Sequence, residues 1–140
     1  MPSRLQRNGA AVLALLLAAV PAAASPPGGQ SDADLQSCLS KPEAAQSSGM
    51  NECVAQATEM WTRRMDRAYR ELRAQLDAPS RRLLDASQEA WQAYRARELA
   101  FSEGPWRRGG GTFQQASIAL FHEAELRARA QTLEGYLQIK

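Results

Sequence analysis

Residues 83–101, LLDASQEAWQAYRARELAF, decide the fold class. Leu83, Leu84, Ser87, Ala90, Trp91, Tyr94 and Phe101 recur close to the i, i+3, i+4, i+7 spacing of one helix face, and neither Gly nor Pro interrupts the run. The spacing predicts a long amphipathic helix over about 81–101, whose apolar stripe is the centre of the core.

Working outward, a second helical stripe precedes it: Cys53, Ala57, Met60, Trp61, Met65, Ala68, Leu72 and Leu76, with Asn51 as a candidate N-cap. Asp77-Ala78-Pro79-Ser80 breaks the two apart, with Ser80 placed to cap the second, and so short a connection favours antiparallel neighbours. After residue 101 the run SEGPWRRGGGT, residues 102–112, is a loop, since Pro105 and three consecutive glycines oppose a helix. Phe113, Ala116, Leu120, Phe121, Ala124, Ala128 and Leu133 then resume helical spacing over about 113–137, with Thr112 as the cap. A short helix over 31–39, capped by Ser31 or Asp32 and stopped before Pro42, leads into a surface loop at 43–49. Strand-like alternation is absent from the sequence. The chain is therefore expected to be all-α, a small helical bundle of about three long antiparallel helices plus a short N-terminal helix. Trp61, Trp91, Tyr94 and Arg95 are its expected structural core, with Arg95 making a structural ion pair.

Residues 1–24 stand outside this pattern. Arg4 and Arg7 precede an apolar run, Ala10 to Val20, too short for the roughly 20 residues of a spanning helix, and Ala22-Ala23-Ala24 offers a small-residue cleavage site. This reads as a signal peptide, followed by a flexible leader at 25–31 and a single domain at 32–140. An N-terminal anchor is the alternative. The chain is then exported, to the periplasm or beyond. Removing 24 of the 140 residues takes away two of the 17 basic side chains and none of the 15 acidic ones, leaving 15 against 15. A near-neutral chain does not argue for nucleic acid. In an oxidising compartment the two cysteines, Cys38 and Cys53, read as one disulfide tying the short helix to the first long one, with two free thiols as the alternative.

Catalytic chemistry needs a positioned nucleophile, an acid–base pair or a metal, and the residues offer little of each. His122 is the single histidine and reads as a surface or boundary residue. Glu123 and Glu125 lie at i+1 and i+3 from it, so only Glu125 shares its face, which falls short of a zinc or iron ligand set. Gly109 to Gly111 lack the frame of a phosphate loop. No catalytic residue, metal or cofactor is assigned. Arg63, Arg64, Arg67, Arg70 and Arg73, interspersed with Glu59, Asp66 and Glu71, read as a solvated face supported by i, i+4 pairs, with an anionic-polymer site as the alternative. Trp106, between Pro105 and Arg107-Arg108, either folds back on the core as a lid or stands out as an anchor for a partner, the lid being favoured.

Met50-Asn51-Glu52-Cys53, Asp66, Tyr69 to Leu72, Leu83-Leu84, Gln88, Ala90-Trp91, Tyr94-Arg95, Ala100-Phe101, Arg129 and Leu133 together resemble the LprI-type family of secreted bacterial proteins and lipoproteins. The resemblance covers about 35–133. It implies a helical, non-enzymatic envelope protein of the kind named for inhibiting lysozyme. Members of that family carry two further cysteines, at positions matching Leu99 and one near Phe121; both being apolar here leaves Cys38–Cys53 as the natural bond and implies that Leu99 and Phe121 replace the missing tie by apolar packing. The implied partner is a lysozyme or related peptidoglycan hydrolase; the composition and charge of the 102–112 loop make Trp106, Arg107 and Arg108 the expected contacts. A second reading is an envelope protein whose arginine-rich face touches anionic polymer or lipid. The oligomeric state is left open.

Overall fold

The computed structural model describes residues 28–139, and among them the chain is helical without a strand. The expected signal peptide and the start of the expected leader lie outside the described residues. Four α-helices follow in order: α1 Gly28–Leu39, α2 Ser47–Gln75, α3 Ala78–Ser102 and α4 Thr112–Gln138, with 3-10 turns at Pro42–Ala45 and Pro105–Arg107. None is long and apolar enough to cross a membrane. The helix α1 begins three residues before Ser31, within what the sequence suggested was leader.

The helix ends depart from the sequence expectations for local reasons. The first long helix starts at Ser47, four residues before Asn51, because Gly49 lets its first turn approach the 3-10 turn: a Cβ at Gly49 would meet the Glu43 carbonyl oxygen at 2.1 Å. At the head of α3 the cap is Asp77 rather than Ser80, its Oδ1 accepting from the Ser80 N–H at 2.8 Å with Pro79 in the first turn. Thr112 is the first residue of α4, not its cap; Gly111 holds that place.

The core lies between α2 and α4, not along α3. Trp61, Leu126 and Leu133 are fully buried, and Ala57 and Ala68 on α2 with Ala116 and Ala130 on α4 are small enough to let the helices approach closely. These two run parallel: Val54 shares a cleft with Ala119, and further along Arg64 pairs with Glu134. Antiparallel α3 completes an up-down-up arrangement, meeting α2 through Arg73–Asp85 and Met65–Gln88, and α4 through Gln88–Arg129, Tyr94–Glu125 and Ser102–His122. Its Cα trace stays more than 8 Å from theirs over almost its whole length. The short α1 is fastened to α2 by the Cys38–Cys53 disulfide, Cα–Cα 5.7 Å, and to α4 by an Asp32–Arg127 ion pair at 2.7 Å.

The stripe on α3 is therefore corrected. Leu83 is 74% exposed, Phe101 65% and Tyr94 47%, so Tyr94 is not a core residue. The inward side chains are Leu84, Gln88, Trp91, Arg95, Leu99 and Ser102, a face as regular in spacing as the expected one but half polar. Gln88 is buried because its amide donates to Met65 Sδ at 3.5 Å and accepts from Arg129 Nε at 3.0 Å. Trp91 is half-buried against the core edge, its ring flanked by the Arg95 and Arg129 guanidinium groups at 5.8 and 5.9 Å. Trp61 meets expectation: it is fully buried, with the Arg64 guanidinium 4.2 Å over its ring.

Candidate functional site

Because α3 stands off from α2 and α4, a cleft of about 540 Å³ opens where the first half of α2, the end of α3 and the start of α4 converge. Its apolar walls are Val54 and Ala55 from α2, Leu99 from α3, and Ile118 and Ala119 from α4. Its polar lining includes Arg95, Ser102, Glu103, Arg107 and His122. From the loop between α3 and α4, Glu103 and Arg107 border this cleft.

A hydrogen-bonded chain, buried at Ser102 and His122 and exposed at Tyr94, joins α3 to α4 beside it. Ser102 Oγ lies 3.0 Å from His122 Nε2; His122 Nδ1 lies 3.2 Å from Glu125 Oε2; Glu125 Oε1 accepts from the Tyr94 hydroxyl at 2.9 Å. The histidine is buried rather than a boundary residue, because both ring nitrogens find partners on α3 and α4. The Ser102 hydroxyl has two acceptors in reach, the Leu99 carbonyl at 2.8 Å and Nε2. Donation to Glu125 also raises the Tyr94 pKa.

Serine, histidine and glutamate in this order have the contacts of a nucleophile, its base and an orienting carboxylate. Their setting opposes that chemistry. Ser102 is the last residue of α3, where the carbonyl ends of the helix dipole disfavour an oxyanion, and the N–H groups of Glu103 and Gly104 are already bonded to the Leu99 and Phe101 carbonyls. The chain instead ties α3 to α4. It does the work assigned in the sequence reading to Leu99 and Phe121: Leu99 lines the cleft, whereas Phe121, one residue round the helix from His122, points outward and meets the imidazole edge-on at 5.5 Å.

The loop residues separate by direction. Trp106 does not form a lid. Its indole is 54% exposed, stacked on Phe101 with ring centroids 5.3 Å apart, and its N–H donates to the Phe101 carbonyl. Both of the needs that would drive a tryptophan into the core are thus met five residues back in the chain. Arg107 turns into the cleft, and Arg108 stands exposed. The loop reverses at Gly109, whose φ of +90° suits glycine alone among these residues.

Arg95 makes no ion pair among the described residues, contrary to expectation. It lies over Trp91, and its Nε is shielded from water with no hydrogen-bond acceptor. The ion pair that matters structurally is Arg64–Glu134, a two-pronged contact at 2.8 and 2.6 Å from one parallel helix to the other. A second buried charge, Glu123 on α4, was also illegible in sequence. Burial raises its pKa and Asp32 adds to the rise, while Arg127 at 3.7 Å opposes it; the Trp61 indole nitrogen lies near the carboxylate outside strict hydrogen-bond geometry and pulls the same way as Arg127. Among the described residues no group of three or more His, Cys, Asp or Glu side chains is placed to hold a metal.

Comparison with known proteins bears on this arrangement. A crystal structure of an uncharacterised protein from Burkholderia thailandensis superposes with a TM-score of 0.69 at 26% identity, over 80% of this chain and 53% of that one. The chain thus spans about half the length of that relative. Among curated proteins none matches significantly. The family model described as lysozyme inhibitor LprI matches residues 38–133, from the disulfide to the last core leucine of α4, and the chain belongs to that family.

Proposed function

We propose that the protein is an exported, non-enzymatic inhibitor of a lysozyme-type hydrolase, acting by placing its Gly-rich loop in the enzyme's cleft. The observation that carries the reading is Trp106: a large aromatic side chain held half exposed on a loop tip, with its ring stacked and its N–H satisfied, needs little further ordering to serve as an anchor. The family description supports the target class. Lysozyme-type clefts present a pair of carboxyl groups, and a guanidinium is the side chain best shaped to meet one. Arg108, exposed beside Trp106, suits that contact better than Arg107, which faces the protein's own cleft. In a lysis assay Trp106→Ala and Arg108→Ala each weaken protection; unchanged protection by both variants would place the interface elsewhere.

One observation favours a second reading. Of the arginines on the outer face of α2, Arg63 pairs with Glu59, but Arg67 and Arg70 form no ion pair among the described residues and flank a shallow surface with Met60 and Asp66. Such a face suits an anionic envelope polymer. Its binding would fall steeply with salt, whereas a desolvated loop in a cleft resists salt.

A further inference from the structure

We infer that the cleft between α3 and the α2–α4 pair is a binding site for a small organic carboxylate carrying an apolar body. The argument starts from Arg95. Its guanidinium is positioned by the Trp91 ring, has no carboxylate partner among the described residues, and keeps an Nε donor out of water without an acceptor. Arg95 lines the cleft and forms no ion pair among the described residues, so an anion entering there gains a charge-assisted hydrogen bond to the guanidinium without displacing a carboxylate. A carboxylate fits better than a neutral acceptor because the guanidinium fork meets two oxygens at once, and Arg107 lines the same cavity as a second cation.

The rest of the lining defines the body of the ligand. Val54, Leu99, Ile118 and Ala119 present hydrocarbon, and a volume of about 540 Å³ is in the range of small-molecule sites. Two carboxylates also border the cavity and select against a wholly anionic guest: Glu59, which is engaged by Arg63 on the outer side of α2, and Glu103, exposed at the rim. The combination admits an acid with one charged end and rejects a chain-length-matched amine or alcohol. It stands apart from the inhibitor reading and does not depend on it.

The test is calorimetric titration of the exported chain with octanoate, octylamine and octanol. Octanoate binds, and octanol and octylamine bind at least tenfold more weakly; Arg95→Gln weakens octanoate by about tenfold, equivalent to about 1.4 kcal/mol, while Arg82→Gln, exposed at the other end of α3 from the cleft, leaves it unchanged. Circular dichroism checks that Arg95→Gln is folded, and if it is not, Arg107→Gln on the loop supplies the same reading, with a weakening of about threefold. Binding of octanol as tight as octanoate, indifference to the cleft arginines, or no heat with octanoate at millimolar concentration would each overturn the inference.

Discussion

Ser102 on α3 and His122 on α4 meet Oγ to Nε2 at 3.0 Å, and that contact holds the loop end of the bundle together. The helices are otherwise far apart there, with the cleft between them and α2. Removing the hydroxyl leaves a buried imidazole with one partner fewer. Ser102→Ala is expected to cost about 1–2 kcal/mol and His122→Ala about 2–4 kcal/mol, the latter because a cavity is added to the lost hydrogen bonds. Urea denaturation of the two variants checks the order and the size.

At the opposite side of the core, Arg64 and Glu134 lock the parallel helices in register. The Arg64 side chain is 10% exposed and Glu134 22%, so cutting Glu134 takes a two-pronged acceptor from a nearly buried guanidinium that lies against Trp61. Glu134→Ala is expected to destabilise by about 2–4 kcal/mol, short of the full penalty for a sealed pair because water reaches one partner. Denaturant midpoints measured in low and high salt should both show the loss, since screening acts weakly on a shielded pair.

The disulfide closes a separation of 15 residues. Replacing both cysteines by serine, or reducing the bond, is expected to lower stability by about 3 kcal/mol, mainly by freeing the unfolded chain. Because α1 is otherwise held by Leu35 packing and the Asp32–Arg127 pair, hydrogen exchange should show α1 opening first.

Two carboxylates give the chain opposite pH responses. Asp85 accepts from the Tyr69 hydroxyl at 2.7 Å and from Arg73 at 3.0 Å, which together lower its pKa. Its contribution is present above the usual aspartate pKa and is lost as pH falls through the lowered value. Glu123 behaves in reverse: burial raises its pKa, so the folded chain holds a proton that the unfolded chain has released, and stability falls as pH rises through that window. Asp85→Asn should be less stable than the parent at neutral pH. Glu123→Gln should be more stable there, since Arg127 keeps Asp32. Both differences should close in acid, and thermal unfolding across pH 3–7 measures them.

Helix class, helix number and the family were legible because spacing and punctuation are local: Pro79 and the three glycines mark the breaks wherever the helices later pack. Which face of α3 turns inward was not legible. Hydropathy favours Leu83 and Phe101 over Gln88 and Ser102, yet those polar side chains find partners on α2 and α4 that are distant in sequence. The same reason hid the ligand-side chemistry. His122 and Glu125 share a helix face and were visible as a pair, but Ser102 lies 20 residues away, and only the fold brings it to the imidazole. Arg95 was assigned an ion pair by the usual behaviour of an arginine on a half-buried face; its lack of one could be seen only with every nearby carboxylate in place.

The central claim is that the loop after α3 blocks a lysozyme-type enzyme. The most direct measurement is the initial rate of cell-wall lysis by lysozymes of several types, with the purified protein added at increasing concentration and Trp106→Ala, Arg108→Ala and the double variant in parallel. The account predicts saturable inhibition of at least one type, weakened by at least tenfold in the double variant while helicity and unfolding midpoint stay at the parent's values. Full lytic activity of every type at saturating protein, or inhibition that the double variant retains in full, would contradict it.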